Sequence, residues 1–331
     1  KETRRYEALM APLEPRKPET PWMQLTPKVI EAVRKLLTGP QHYKAHAGVY
    51  VGLNQVYYVK IKGRRPDGKL IITNPPEPGQ KKRVKQVDAV VEPDLVYPLI
   101  RGRDVKKWYV EFSDRYVILP VDSQGASIGS DVMKAKYPGT YDYFYGFFSD
   151  LINRGGEPYK SALEPYKKMP LNIAEKKAPP FYWVFNVKPS LAPYKVVWKN
   201  IAGEISGKAE FSCAVIGDLE DEFLGRKTVI PNVKLMLVPL HSEEEAHYLC
   251  GILNSTFVRA VVASYVIETG ISTHVLDTIK PPKYDPSNGL HRKIAELSRR
   301  AHELARCVYA ERKPNYCSSV GSPEKELERV E

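Results

Sequence analysis

Apolar positions alternate or recur at helical spacing over short stretches of this chain, and turn residues separate those stretches. Leu235 to Leu240 is a short apolar run closed by Pro239, which predicts a buried strand. Ser242 and Glu245 follow with the S-x-x-E spacing of a capping box, in which each side chain satisfies an orphan donor of the first helical turn. Glu243 and Glu244 suit the positive end of the helix dipole. Leu249, Cys250, Leu253, Phe257 and Val261 then recur at helical spacing and predict one apolar face. Gly270 ends the pattern, Ile271 to Ile279 reads as a strand or turn, and Pro281-Pro282 stops it.

Upstream, residues 1–21 carry Pro12, Pro15, Pro18 and Pro21 and read as a linker or entry segment. Thr26-Pro27 caps and opens a helix whose apolar face is Val29, Ile30, Val33, Leu36 and Leu37, with Gly39-Pro40 as its stop. Val56, Tyr58 and Lys60 alternate against Tyr57, Val59 and Ile61 as a strand does, after a turn at Gly52-Leu53-Asn54. Pro66-Asp67-Gly68 turns a second hairpin, and Tyr116 to Pro120 is the next strand. Residues 122–180 read as helical or irregular. Their aromatic cluster (Tyr137, Tyr141, Tyr143, Phe144, Tyr145, Phe147, Phe148) is expected to be core rather than a base-stacking surface. Strands return over 181–216, at Phe181 to Trp183, at Tyr194 to Lys199, and in a hairpin from Glu204 to Cys213. A long helix, 289–312, presents Ile294, Leu297, Ala301 and Leu304 on one face, and residues 313–331 read as a disordered polar tail.

The pattern therefore predicts an α+β protein with a twisted, mostly antiparallel sheet flanked by helices. Its expected parts are a linker and entry helix over 1–39, a main domain over 40–285, a C-terminal spacer helix over 286–312 and a tail over 313–331. Composition adds that the chain is globular: of 331 residues, 43% are hydrophobic and 27% charged. No apolar run is long enough for a membrane span, and no signal peptide is legible, so a cytoplasmic protein is expected. A start at Lys1 rather than Met is read as a fragment of something longer. Cys213, Cys250, Cys307 and Cys317 form no C-x-x-C pair, so no zinc site is expected, and sparse unpatterned cysteine fits a reducing compartment.

The net charge of +11 changes the picture most. Basic groups placed on phosphates release counterions, so a polyanion partner is favoured. The cations gather in three loops that follow or join predicted strands: Arg64, Arg65 and Lys69; Lys81, Lys82, Arg83 and Lys85; and Arg101, Arg103, Lys106 and Lys107. A sheet presenting all three on one side would make a duplex-DNA surface, with phosphate contacts dominating and one or two arginines reading base edges. Lys199, Lys208 and His274 form the next candidate surface. Arg101 and Arg103 lie two apart and can share a face of an extended segment. Equally, Arg103 or Asp104 can be an ion-pair member that orders the loop. Asn74-Pro75-Pro76-Glu77 has the outline of a catalytic methyltransferase motif, but Glu77 cannot stack on a base and no glycine-rich cofactor loop precedes it. It reads as a proline turn, and no catalytic residue is expected in this chain.

Four stretches also carry a resemblance. Ala246-His247-Tyr248-Leu249-Cys250-Gly251-Ile252-Leu253-Asn254-Ser255-Thr256, with Ile271 to Pro282, resembles the end of the target-recognition domain of TaqI-type adenine DNA methyltransferases and of type I restriction specificity subunits. Gly48 to Tyr57 resembles the "Gly-x-x-x-Gly-x-Asn" start of those domains. Leu99-Ile100-Arg101-Gly102-Arg103-Asp104-Val105 through Trp108 is similar to their "Leu-x-Arg-Gly-Arg-Asp" segment, and Tyr194 to Lys199 to one of their strands. The resemblance implies a domain that reads double-stranded DNA for a methyltransferase domain held in cis or as a subunit. S-adenosylmethionine would be the cofactor of that catalytic domain, not of this chain. It also implies that the helix after Pro286 is a spacer docking onto the methyltransferase. The competing readings are an RNA-binding or protein-assembly module on the same fold, and a catalytic fragment using Asn74-Pro75-Pro76.

Overall fold

The computed structural model describes the chain except residues 1–8, 15–16, 26–27, 29–30, 32–35, 77–78, 80–81, 201–210, 266–270, 311–313 and 331. The strands in chain order are β1 (Leu9–Glu14), β2 (Lys17–Leu25), β3 (His46–Ala47), β4 (Tyr58–Arg64), β5 (Leu70–Thr73), β6 (Asp88–Val91), β7 (Val96–Ile100), β8 (Val105–Lys106), β9 (Tyr109–Val110) and β10 (Tyr116–Ile118). They continue as β11 (Tyr194–Lys199), β12 (Cys213–Ile216), β13 (Asp218–Asp221), β14 (Gly225–Thr228), β15 (Ile230–Pro231) and β16 (Leu235–Leu240). The α+β class holds, with two main sheets rather than one. A six-stranded sheet runs β15-β7-β10-β4-β5-β6, and a four-stranded sheet runs β12-β11-β16-β3. All their pairings are antiparallel except β15 with β7.

Each sheet has its own core. Helices between Ser130 and Lys177 cover the first sheet, and Tyr141, Tyr143, Phe144 and Phe147 join its core, as the aromatic pattern predicts. Tyr145 stays exposed. Phe181 to Trp183 lies in a turn rather than a strand, because its first two rings pack into that aromatic core instead of pairing along an edge. The second sheet buries Val196, Trp198, Met236 and Val238 against Leu249, Leu253, Val258, Ala301 and Leu304. A small third cluster, including Ile100, Val105, Val197, Leu235 and Leu237, lies where the sheets join.

Two glycines of the Gly48–Tyr57 stretch have physical reasons. A Cβ on Gly48 would sit 2.2 Å from the Asn232 carbonyl oxygen, so only glycine lets β3 approach the β15–β16 connection. Gly52 has φ +73°, and its Cβ would sit 2.6 Å from the Tyr159 ring. That ring in turn stacks on the buried Arg154 guanidinium at 3.9 Å.

Several expectations are corrected. Leu9–Glu14 and Lys17–Leu25 pair as antiparallel strands rather than forming a linker, with Leu9 opposite Leu25. Asn54–Tyr57 is a helical turn, so the strand expected from Val56 begins at Tyr58. The apolar run after Ser242 makes two helices, Glu243–Leu253 and Thr256–Tyr265. The break at Asn254 turns Phe257 outward and buries Val258, Val261 and Val262. Residues Val275–Thr278 are a helical turn. The C-terminal helix is Gly289–Tyr309, and its buried line is Ala295, Ser298, Ala301, Leu304 and Ala305, with Leu297 exposed. It shares the second core, so docking on a partner would use its other face. The segment after it is ordered where described: Asn315–Ser319 is a 3-10 turn, Cys317 is disulfide-bonded to Cys307, and Pro323–Val330 is a helix that buries Leu327. The polar composition hid this because one disulfide and one leucine dock the segment on the preceding helix. The expected cap at Thr26-Pro27, the face residues Val29, Ile30 and Val33, and most of the Glu204–Cys213 hairpin lie outside the described residues. Among the described residues, no helix is long and apolar enough to cross a membrane.

Candidate nucleic-acid interface

The Arg101–Lys107 loop is built around a buried carboxylate. Asp104 accepts the Arg101 backbone N–H at 2.7 Å, and its own N–H donates to the Arg101 carbonyl at 2.9 Å. Its carbonyl accepts Glu111 N–H at 2.8 Å. The Arg101 guanidinium turns in with it, with Nε 3.8 Å from Asp104 and Nη2 3.4 Å from Ser113 Oγ. The side chain of Arg101 is 10% exposed and that of Arg103 is 61% exposed. The two arginines therefore do not share a face. The intervening residues form a 3-10 turn rather than an extended segment, and that sends consecutive odd positions to different sides. Arg101 with Asp104 is the frame, and Arg103 is the outward cation.

Past the frame, Lys106 sits 4.6 Å over the Tyr309 ring and Lys107 5.9 Å from the Trp108 ring. Burial, and then the nearby Lys106 ammonium, lower the pKa of Lys199. Lys199 of the second candidate surface is thus brought beside the third basic loop, where two ammonium groups repel. Such a group of cations is a place where an anion lowers the energy of the fold. His274 is elsewhere engaged, 2.7 Å from Asp277, and Lys208 lies outside the described residues.

The three basic loops do not lie on one side. In the β4-β5-β6 meander, Arg64 pairs with Leu70 at one end and Lys60 with Thr73 at the other. The 64–69 turn is therefore at the first end and the 74–87 connection at the second. Pairing of β7 with β10 and of β10 with β4 carries Ile100 toward the first end. Loops 64–69 and 101–107 thus share one end of the sheet, two strand spacings or about 10 Å apart, and residues 82–85 lie at the opposite end. Alternation along strands could not reveal this, because the strand order is a tertiary fact.

Within the first loop, Arg64 donates to the carbonyls of Gly68 and Phe223, at 3.2 and 3.3 Å. Arg65 pairs with Asp67 at 3.3 Å and Lys69 with Glu92 at 3.0 Å. At the far end Lys82 pairs with Asp150 at 3.0 Å, Arg83 and Lys85 are exposed, and Lys81 lies outside the described residues. The Arg65–Asp67 and Lys82–Asp150 pairs are exposed, and so weak enough to exchange their carboxylates for phosphates, whereas Glu92 is buried.

Asn74 is structural. Its amide donates to the Lys85 carbonyl at 3.0 Å and accepts the Val87 N–H at 2.7 Å. Gln55 grips the same loop through Val84, at 2.9 Å in each direction. With both ends of its buried amide engaged, Asn74 serves to hold its own loop. Glu77 lies outside the described residues.

No sequence pattern signals Tyr309 beneath Lys106, since the two stand far apart in the chain. The burial of Lys195 is equally silent in the sequence. Burial lowers the Lys195 pKa to about 7, and its ammonium donates to the Ala192 carbonyl.

No family model matches the chain, and no curated protein does. Among solved structures, 88% of the chain is similar to 31% of the chain in "Structure of Type IIL restriction-modification enzyme MmeI in complex with DNA", at 9% identity and a TM-score of 0.46. This chain thus spans less than a third of that protein's length, and a likeness at that level bears on neither its activity nor its partners.

Proposed function

We propose that this chain is the target-recognition domain of an adenine-specific DNA methyltransferase or restriction-modification protein, and that it binds duplex DNA. The observation that carries this reading is the hydrogen-bonded Arg101–Asp104 frame, from which Arg103 and Lys106 face outward, with Lys107 half-buried and Lys199 beside Lys106. The four stretches that resemble such domains support it, as does the net charge of +11. Phosphate contacts by the lysines would set register, and Arg103, with a fork suited to a guanine edge, would read sequence. S-adenosylmethionine and methyl transfer belong, in this reading, to a separate catalytic domain or subunit, since Asn74 is committed to its own loop. Dividing base chemistry from duplex grip suits a reaction whose target base must leave the stack.

The test is duplex binding across a salt series for the parent chain, for R103Q/K106Q/K199Q and for K82Q/R83Q/K85Q. The first variant is expected to lose affinity and salt dependence and the second to change little. A structured-RNA competitor displacing duplex at equal concentration would favour the RNA-binding alternative instead.

A further inference from the structure

Two cavities meet along the open edge of β12. One, of about 460 Å³, is polar and is reached by Arg226, Arg299, Arg306, Glu243 and His247. The other, of about 160 Å³, is walled by Ile100, Trp108, Tyr109, Phe112 and Val229. They share Val215, Gly217, Asp218, His302 and Arg306.

β12 lies at the end of its sheet, so the outward groups of Cys213 and Val215 need partners other than a strand. Asn254 takes both backbone groups of Cys213, and the Val215 N–H donates to His302 Nε2 at 2.9 Å. With Nε2 accepting, His302 Nδ1 donates to the Ser298 carbonyl at 2.7 Å. Burial, and then His302 and Arg299, lower the pKa of His247 to about 3. The His247 imidazole therefore adds no charge to the cleft near neutral pH. The carboxylates there are mostly committed: Asp218 to Arg226 at 3.3 Å and Thr228 at 2.7 Å, and Glu303 to Arg300 at 3.2 Å. Arg299 reaches Glu243 only at 4.0 Å, beyond hydrogen-bond distance. The Arg306 guanidinium, which lines both cavities, has no partner among the described residues.

We propose that the joined cavities bind a nucleoside phosphate, with the base in the apolar lobe against Trp108 and Tyr109 and the phosphate on Arg306 and Arg299. A flat heteroaromatic ring gains stacking and apolar contact in the first lobe. A phosphate gives the open guanidinium the forked, charge-assisted bonds that the cleft's own carboxylates do not supply. The apolar lobe adjoins the proposed duplex surface, since Lys107 lies 5.9 Å from the Trp108 ring, but the site does not depend on the proposed function.

The test is calorimetric titration of the full chain with adenosine monophosphate, adenosine and inorganic phosphate. The expected result is saturable binding of the monophosphate, roughly tenfold tighter than adenosine. Two variants separate the lobes. R306Q, at an exposed position, should remove the difference between nucleotide and nucleoside. L219W, which fills the apolar lobe, should weaken both. Thermal melts confirm that each variant is folded. Monophosphate that binds no tighter than adenosine, or that binds both folded variants as it binds the parent, overturns the proposal.

Discussion

Asn254 holds both backbone groups of Cys213: its Oδ1 accepts the Cys213 N–H at 2.9 Å, and its Nδ2 donates to the Cys213 carbonyl at 2.8 Å. The same carbonyl accepts the Trp108 N–H at 3.1 Å, and Trp108 adopts φ +61° to reach it. Two stretches that the sequence shows far apart, Leu253-Asn254-Ser255 and Arg101 to Trp108, thus meet on one residue of β12. Replacing Asn254 with alanine leaves a buried N–H without its acceptor, at a cost of about 2–3 kcal/mol. Urea denaturation checks this. Asn254→Asp should lose nearly as much, because a carboxylate cannot donate to the Cys213 carbonyl.

The Glu243–Leu253 helix is capped by Ser242, whose Oγ accepts the Glu245 N–H at 3.4 Å. The reciprocal half of a capping box is replaced by tertiary structure: Glu245 Oε1 accepts the Tyr43 hydroxyl at 3.1 Å. Ser242→Ala should destabilise by about 1 kcal/mol. Coincident thermal melts of variant and parent would show that the cap contributes nothing.

Lys195 gives stability a pH dependence. Its folded pKa of about 7 lies below its ordinary 10.5, so the unfolded chain binds the extra proton between those values. Stability should therefore rise with pH through that window, by up to about 1.4 kcal/mol per pH unit from this group. Lys195→Met should abolish that part of the slope and be the more stable protein near pH 7. Denaturation of both chains at several pH values, compared as a difference, isolates the lysine from the cysteines and tyrosines.

For the DNA surface, R103Q/K106Q/K199Q should reduce the log–log salt slope by about 0.9 for each phosphate that the parent side chains neutralise. Replacing Arg103 alone should relax preference at one base pair by about 1–3 kcal/mol. Arg101→Gln should instead lower the melting temperature, since it frames the loop. Binding by the triple variant that matches the parent in affinity and slope would move the surface elsewhere.

The chain by itself should not take up S-adenosylmethionine, and Asn74→Ala should lower stability through the 74–87 loop. Micromolar binding of that cofactor in a calorimeter, abolished in Asn74→Ala, would assign Asn74 to a cofactor site instead of to its loop.

Local chemistry was legible where it acts over a few residues. The Ser242 cap, the Pro66-Asp67-Gly68 turn, the strand at Leu235–Leu240 and the aromatic core around Phe144 follow from spacing and side-chain type alone. The Asn74 turn was legible because the stacking residue its motif needs is replaced by Glu77. What required the tertiary structure was every relation between distant segments. Strand order put loops 64–69 and 101–107 together and residues 82–85 apart. A single 3-10 turn turned Arg101 inward and Arg103 out. The break at Asn254, whose side chain is held by β12, turned Phe257 outward and Val258 inward. Periodicity records which side chains avoid water, and charge records which partners are possible. Neither encodes which two ends of a folded sheet face the same way, since that is decided by pairings between residues that no local pattern connects.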